Sequence, residues 1–288
     1  MARGLDHIVH GIRDLDQGAE TYRRLGFTVG ARNRHPWGTQ NHVVQLPGFF
    51  VELLSLGESR VAPSVNPRHF SFAGFMSEQL AHGEGLAMLV LESGDAAADQ
   101  RAFEAAGISS YDVFRFERDA ARPDGTPTRV GFSLAFATDP RSPQTGFFVC
   151  QQHFPENFWN PAFQQHANTA EAVAGVVLVA DNPSDHHIFL STLAGVRDMQ
   201  ATSTGITIET PRGTIQVMDP SAFRAHFGVE PPQMGEGARL AALRFAVRDP
   251  AHLGAVLESN AVPASTRAGR IVVPPDAAHG ATIVFEPK

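Results

Sequence analysis

The chain has 288 residues, 43% of them apolar and 18% charged, which is enough to bury a core in one paired or two ordinary domains and too apolar for a disordered chain. Its net charge of -7, with no basic run and no interleaving of aromatic and basic residues, excludes a diffuse attraction to nucleic acid. The single cysteine, Cys150, excludes an internal disulfide, and the opening Met1-Ala2-Arg3-Gly4 leads into a strand-like run rather than an apolar leader or span, so a cytoplasmic protein that does not enter a membrane is expected.

In chain order, residues 5–12 form a strand candidate, followed by Asp14-Leu15-Asp16, an acidic start for a helix that runs to Leu25 and stops at Gly26. Three more strand candidates follow at 27–31, 42–46 and 49–56, the last pair turning at Pro47-Gly48. The order is βαβββ. Residues 85–154 repeat it: a strand at 86–91, a helix at 95–106 ended by Gly107, and strands at 112–117, 128–137 and 147–152. In that helix Ala98, Phe103 and Ala106 are placed on the buried stripe and Asp99, Gln100 and Glu104 on the wet one.

A third copy reads strand 173–180, helix 184–194 ended by Gly195, and strands 198–202, 205–210 and 214–218. The fourth reads strand 240–247, helix 250–259, a weak strand near Ala264, and strands 270–273 and 281–286. Four copies of one element order predict an α+β fold of four βαβββ modules paired into two curved mixed sheets, each with helices on one face and a cavity on the other. The Pro-, Asn- and Gln-rich stretch 154–172 divides the chain into an N-terminal pair, 1–160, and a C-terminal pair, 161–288. Residues 57–84 are a long insertion of the kind that forms lids, and 117–124 read as a solvated charged hairpin.

The run Leu5-Asp6-His7-Ile8-Val9-His10-Gly11-Ile12, with Tyr22-Arg23-Arg24-Leu25-Gly26-Phe27 after it, resembles the opening of glyoxalase I and its relatives. Phe49-Phe50-Val51-Glu52-Leu53-Leu54 resembles the closing strand of that superfamily, the vicinal oxygen chelate proteins, which includes bleomycin resistance proteins and extradiol dioxygenases. The first module is similar to the glyoxalase-like domain family of bacterial proteins, and the stretch from Phe147 to His153 resembles that family's second-module ending. The resemblance implies that His7 and Glu52 are metal ligands. The fold gives this a physical sense, because the first and last strands of such a sheet both reach its concave side.

Aligned on the residues that open the helices, the His7 position is taken by Met88, Gly175 and Ala242, and the Glu52 position falls on Cys150, near Val217 and near Val284, with Glu286 two residues on. Only the first module keeps the pair. Cys150, Gln152 or His153 is then a candidate third ligand, although strand alternation puts Gln152 and His153 on opposite faces. Asn41 and Gln45, on one strand face, together with Trp37 and Cys150, are candidates for contacting a substrate. His10 is expected to point to the helix side, Phe158 and Trp159 to bury the linker, and the adjacent His186 and His187 to diverge on a helix rather than chelate.

Three functions follow. The first is a metal-dependent lyase or isomerase of glyoxalase type, in which Zn, Ni, Mn or Fe chelates two adjacent oxygens of a small molecule and Glu52 moves a proton. The second is a metal-free binding protein of bleomycin-resistance type, suggested by 21 phenylalanines and by the loss of ligands in three modules. The third is an extradiol-type dioxygenase, for which residues 173–177 lack the strand histidine of the third module. The partner expected is a small molecule, with neither nucleic acid nor membrane, and pairing into a homodimer stays open.

Overall fold

The computed structural model describes residues 1–58, 66–121, 126–233 and 237–288. Module one comprises β1 (Leu5–Gly11), α1 (Leu15–Arg24), β2 (Asn33–Arg34), β3 (Thr39–Leu46) and β4 (Phe49–Leu56), and a helix of the insertion, α2 (Phe72–His82), follows it. Module two is β5 (Gly85–Glu92), α3 (Ala96–Ala105), β6 (Phe114–Ala121), β7 (Pro127–Ala137) and β8 (Gly146–Gln152), then the short α4 (Pro155–Phe158). Module three runs β9 (Ala170–Val179), α5 (His187–Ala194), β10 (Gln200–Thr202), β11 (Gly205–Glu209) and β12 (Thr214–Met218), followed by α6 (Pro220–Phe227). Module four is β13 (Arg239–Val247), α7 (Pro250–Ser259), β14 (Ser265–Arg267), β15 (Arg270–Val273) and β16 (Thr282–Pro287).

Local chemistry explains the helices. Asp14, Asp95 and Asp249 each accept hydrogen bonds from backbone N–H groups of the first turn of α1, α3 and α7, satisfying donors that have no intrahelical partner. Gly195 closes α5 in the left-handed conformation at φ 65°, which a residue without Cβ adopts at no steric cost. The stripe of α3 is rotated from the expected one: Ala96, Gln100 and Phe103 are buried, because the Gln100 amide donates to the Tyr111 carbonyl and is thereby satisfied inside. The expected strand at 27–31 does not form. The Thr28 N–H is taken by His166 Nδ1, which pulls the segment out of the ladder and leaves only β2 beyond it.

The two sheets have eight strands each, in the orders β2-β3-β4-β1-β5-β8-β7-β6 and β10-β11-β12-β9-β13-β16-β15-β14. Within a sheet the two modules join through their first strands, β1 antiparallel to β5 and β9 antiparallel to β13, while each first strand runs parallel to the last strand of its own module. The helix-bearing faces of both sheets share one apolar core, in which Phe27 meets Phe245 at 4.9 Å and Phe147 meets Phe189 at 4.8 Å between ring centroids. The opposite faces carry separate clusters, one around Val9, Met88 and Phe148 and the other around Val177, Phe223 and Val284. Among the described residues no helix is long and apolar enough to cross a membrane.

One irregularity recurs. Leu5 pairs with Leu91 and His7 with Val90, so Asp6 is an extra residue in its strand, a bulge. The same shift leaves Ala87, Ala174 and Ala241 extra in β5, β9 and β13. The bulges align His7 with Met88, Gly175 and Ala242. The ladders then correct the expected equivalents of Glu52. Glu52 faces Val9, and the matching pairs are Phe148 with Val90, Gln216 with Val177 and Val284 with Arg244, so Cys150 occupies the level of Leu54. Loops of unequal length between modules hide this register from residue spacing.

Candidate functional site

The concave face of the first sheet holds a cavity of about 70 Å³. Alternation along β1 and β4 brings His7 and Glu52 to this face. His7 lies flat on Phe50, with ring centroids 4.2 Å apart, and meets Phe148 edge-on at 5.5 Å. Phe72, Phe116, Phe132, Phe158 and Trp37 complete the aromatic wall.

The bulge decides the polar arrangement. Because Asp6 is the extra residue, its side chain turns to the side of its neighbour, and its Oδ1 sits 2.5 Å from His7 Nδ1. The carboxylate fixes the tautomer with the proton on Nδ1 and leaves Nε2, which has no protein partner among the described residues, free to accept. Gln152, on the cavity face of β8, donates from Nε2 to Asp6 Oδ2 at 3.0 Å, and its Oε1 is buried with no hydrogen-bond partner. Asp6, His7 and Cys150 each bring a ligand atom within 4.8 Å of the other two. Burial, reinforced by the charges of Asp6 and Glu52, pushes the Cys150 thiol well above its ordinary value, so without a neighbouring cation it stays protonated.

Glu52 stands apart from this trio. Its Oε1 accepts from Asn41 Nδ2 at 2.5 Å, and Asn41 is itself buttressed by Asn33 at 3.0 Å. Nearby, burial lowers the pKa of His35, whose ring lies flat on Trp37 at 4.6 Å. Arg118 of β6 reaches the same cavity, and burial lowers its guanidinium, partly offset by the charge of Glu52.

The structure brings together His7, Glu52, Asn41, Trp37 and Cys150 on the cavity wall and sets Gln152 behind Asp6. It does not bring His153 or Gln45 there. His153 turns to the outside of the sheet, where Nε2 meets Ser133 Oγ at 2.8 Å, which corrects its candidacy as a ligand. Gln45 instead clamps the linker, donating to the Phe158 carbonyl at 2.8 Å and accepting from the Asn160 N–H at 3.0 Å. Phe158 corrects in the other direction: read as linker packing, it lines the cavity.

His10 is buried between Tyr22 Oη and the His279 carbonyl, each at 2.9 Å. His186 is buried against Asp139 while His187 is exposed, as their divergence on a turn requires. Three contributors escaped the sequence reading. Asp6 was hidden because simple alternation sends it to the wrong face. Phe72 belongs to the inserted α2, and Arg118 to the stretch read as a solvated hairpin, of which residues 122–124 lie outside the described residues.

The cavity in the second sheet is closed by its own side chains. Phe223 and Phe227 of α6, both fully buried, fill it against Val177, Val179 and Val284. Arg244 occupies the level of Val9 and is held by Glu286 at 2.8 and 3.0 Å and by Gln216 Oε1 at 2.6 Å. No His, Cys, Asp and Glu trio comparable to that around His7 occurs there among the described residues.

The family model for a glyoxalase-like domain matches residues 5–194. No curated protein matches significantly. Among solved structures, a hypothetical protein from Staphylococcus aureus superposes with TM-score 0.68 at 13% identity, covering 99% of this chain and 100% of the other. A mutant 4-hydroxymandelate synthase from Streptomyces coelicolor gives 0.60 at 10% identity, covering 100% of this chain and 94% of the other. A fusion protein of a xylose isomerase-like TIM barrel and a 4-hydroxyphenylpyruvate dioxygenase gives 0.55 at 12%, covering 99% of this chain and 49% of the other. At such identities these likenesses speak to the fold.

Proposed function

Because the chain belongs to the glyoxalase-like domain family, we propose that its N-terminal module pair, 1–160, is a metal-dependent lyase or isomerase acting on a small molecule with two adjacent oxygens, with the pair 161–288 as its support. The observation that carries this reading is the imidazole of His7, fixed by Asp6 through Nδ1 and leaving Nε2 to accept, in one buried cluster with Cys150. The residues fit a divalent ion. Nitrogen, sulfur and carboxylate donors lie within reach of one another, and the orphaned Gln152 Oε1 is a further oxygen next to them. His7 through Nε2 and Cys150 would hold it, with Asp6 as the partner that orients the ring, and when bound it would supply Lewis acidity at the two substrate oxygens, the role expected of Zn, Ni, Mn or Fe.

The chain's own residues do the rest. Asp6 keeps the imidazole in one orientation, and Gln152 keeps Asp6 in place. Glu52, oriented through Oε1 by Asn41, takes up and returns a proton at its other oxygen, moving it between neighbouring carbons of the substrate. The phenylalanine walls exclude water from that transfer. A cytoplasmic setting suits a buried, reduced thiol in this role.

Elemental analysis after exposure to several divalent ions should find about one ion per chain, and His7→Ala or Asp6→Ala should lower affinity by roughly 10- to 100-fold. Glu52→Gln should retain the ion and lose solvent-deuterium exchange into a 2-oxoaldehyde adduct. Folded protein that retains no ion, or a His7→Ala variant that retains it fully, would sink the reading.

One observation favours a second reading, a metal-free binding protein: the Glu52 carboxylate is already satisfied by Asn41 within an aromatic wall. Ligand affinity unchanged by chelator separates the two. A dioxygenase reading, in line with the name of the 4-hydroxyphenylpyruvate dioxygenase fusion protein, requires that the ion be iron and that oxygen be consumed.

A further inference from the structure

Arg118 is a cation facing a largely aromatic cavity and, among the described residues, is in ion-pair contact with no anion. It stands on β6 opposite Val130, and its side chain reaches the cavity lined by Phe50, Phe72, Phe116, Phe132, Phe148 and Phe158. Among the described residues it makes no ion pair and no hydrogen bond. Several shielded arginines elsewhere meet carboxylates, Arg3 with Asp99, Arg212 with Glu92, and Arg244 and Arg270 with Glu286, while Arg239 donates to the Gln233 carbonyl. The nearest negative charge that Arg118 feels is Glu52, which is not within ion-pair distance and has one oxygen engaged by Asn41.

A guanidinium withdrawn from water with no counter-charge costs free energy, and an anion arriving in the cavity removes that cost. The planar fork also matches a carboxylate in a two-point pairing, which a point cation does not. The rest of the wall selects the body of the ligand. Phenylalanine faces and the Trp37 ring take a flat or short apolar group, and Trp37 and Phe72 also line an outer cleft of about 380 Å³ through which it would enter.

We propose that the cavity takes a small apolar monoanion, a carboxylate with one ring or a short chain, with its head on Arg118 and its body among the phenylalanines. This deepens the reading of the N-terminal cavity as a small-molecule site and needs no bound ion. Arg118 is therefore the residue that sets specificity for charge, and the outward position of β6 places the ligand's head at the mouth and its other end toward His7.

The test compares phenylacetate, phenylacetamide and phenethylamine, which share a skeleton and differ in charge, using the fluorescence of Trp37, in the wall, and of Trp159, 6.0 Å from Phe50 between ring centroids. Phenylacetate should bind about tenfold more tightly than the amide, the worth of one charge-assisted hydrogen bond, and added salt should shrink the advantage. Arg118→Gln should bring acid and amide to within about twofold of each other, and Arg118→Lys should restore part of the preference. Circular dichroism and a urea midpoint no lower than that of the parent protein establish that the variants are folded. An amide that binds as well as the acid, an amine that binds more tightly, or a preference that survives Arg118→Gln overturns the assignment and leaves the cavity reading standing. If none of the three binds, the small-molecule reading falls and this assignment falls with it.

Discussion

The two halves solve the same geometric problem in opposite ways. Each pairs two modules through their first strands and curls eight strands around a concave face. In the C-terminal half that face is packed shut by Phe223 and Phe227, and its charged groups pair with one another, Arg244 with Glu286 and Gln216, leaving the Thr282 hydroxyl opposite Ala242 as an unpartnered buried group among the described residues. In the N-terminal half α2, which follows module one as α6 follows module three, contributes Phe72 to the wall and leaves room inside. There, among the described residues, polar groups are left with unused valence: Nε2 of His7, Oε1 of Gln152 and the guanidinium of Arg118. A satisfied network belongs to stability, whereas an incomplete one held in place by its neighbours belongs to a ligand.

The largest expected effect breaks this comparison at the plug. Phe223→Ala should destabilise the protein by about 3–5 kcal/mol, because a fully buried ring leaves a cavity that its rigid surroundings cannot fill. Phe72→Ala should cost less, roughly 1–3 kcal/mol, since one side of that ring already borders empty space. Equal losses in urea midpoint would mean that the first cavity is as tightly packed as the second.

Acid should act through the seam between the halves. Burial lowers His10 to about 4, with smaller effects from the His279 carbonyl and the charges of His279 and Glu84. In the unfolded chain an ordinary histidine at about 6.5 binds the proton first, so the stability that neutral His10 represents is present above pH 6.5 and is lost as pH falls toward 4. Roughly 3 kcal/mol should disappear across that window. His10→Gln, lower in stability at neutral pH, should flatten the acid slope by a similar amount. A slope that persists in the variant would assign it to other groups.

The smallest effect sharpens the contrast between polar residues. Glu286→Gln should cost about 1–3 kcal/mol, because Arg244 and Arg270 lose their counter-charge where both partners are mostly shielded. Glu52→Gln should change stability by less than about 1 kcal/mol while removing exchange chemistry, since the amide oxygen still accepts from Asn41. If the order of the two is reversed, Glu52 is a structural residue.

What could be read from residues alone follows from where each signal lives. The modules were legible because aspartate caps and alternating strands are local, and because four repetitions of one order reinforce one another. His7 and Glu52 were legible through a motif. Asp6 was not, because a bulge reverses the face that alternation assigns, and a bulge is made by pairing with another strand rather than by its own residues. The register that sets Phe148 rather than Cys150 opposite Val90 is likewise a property of two strands together. Arg118 looked like any charge in a solvated hairpin. Only the curl of the sheet, which carries β6 round to the cavity, gives it a role.

The kink that turns Asp6 beside His7 is present at Ala87, Ala174 and Ala241 as well, with Met88, Gly175 and Ala242 in the histidine's place. The frame thus repeats one bulge four times, and only the first copy sets an acid and an imidazole side by side. What such a position presents depends on which two adjacent side chains stand at the bulge, so an acid and a histidine placed at Ala87 and Met88 would repeat the first arrangement without touching the original.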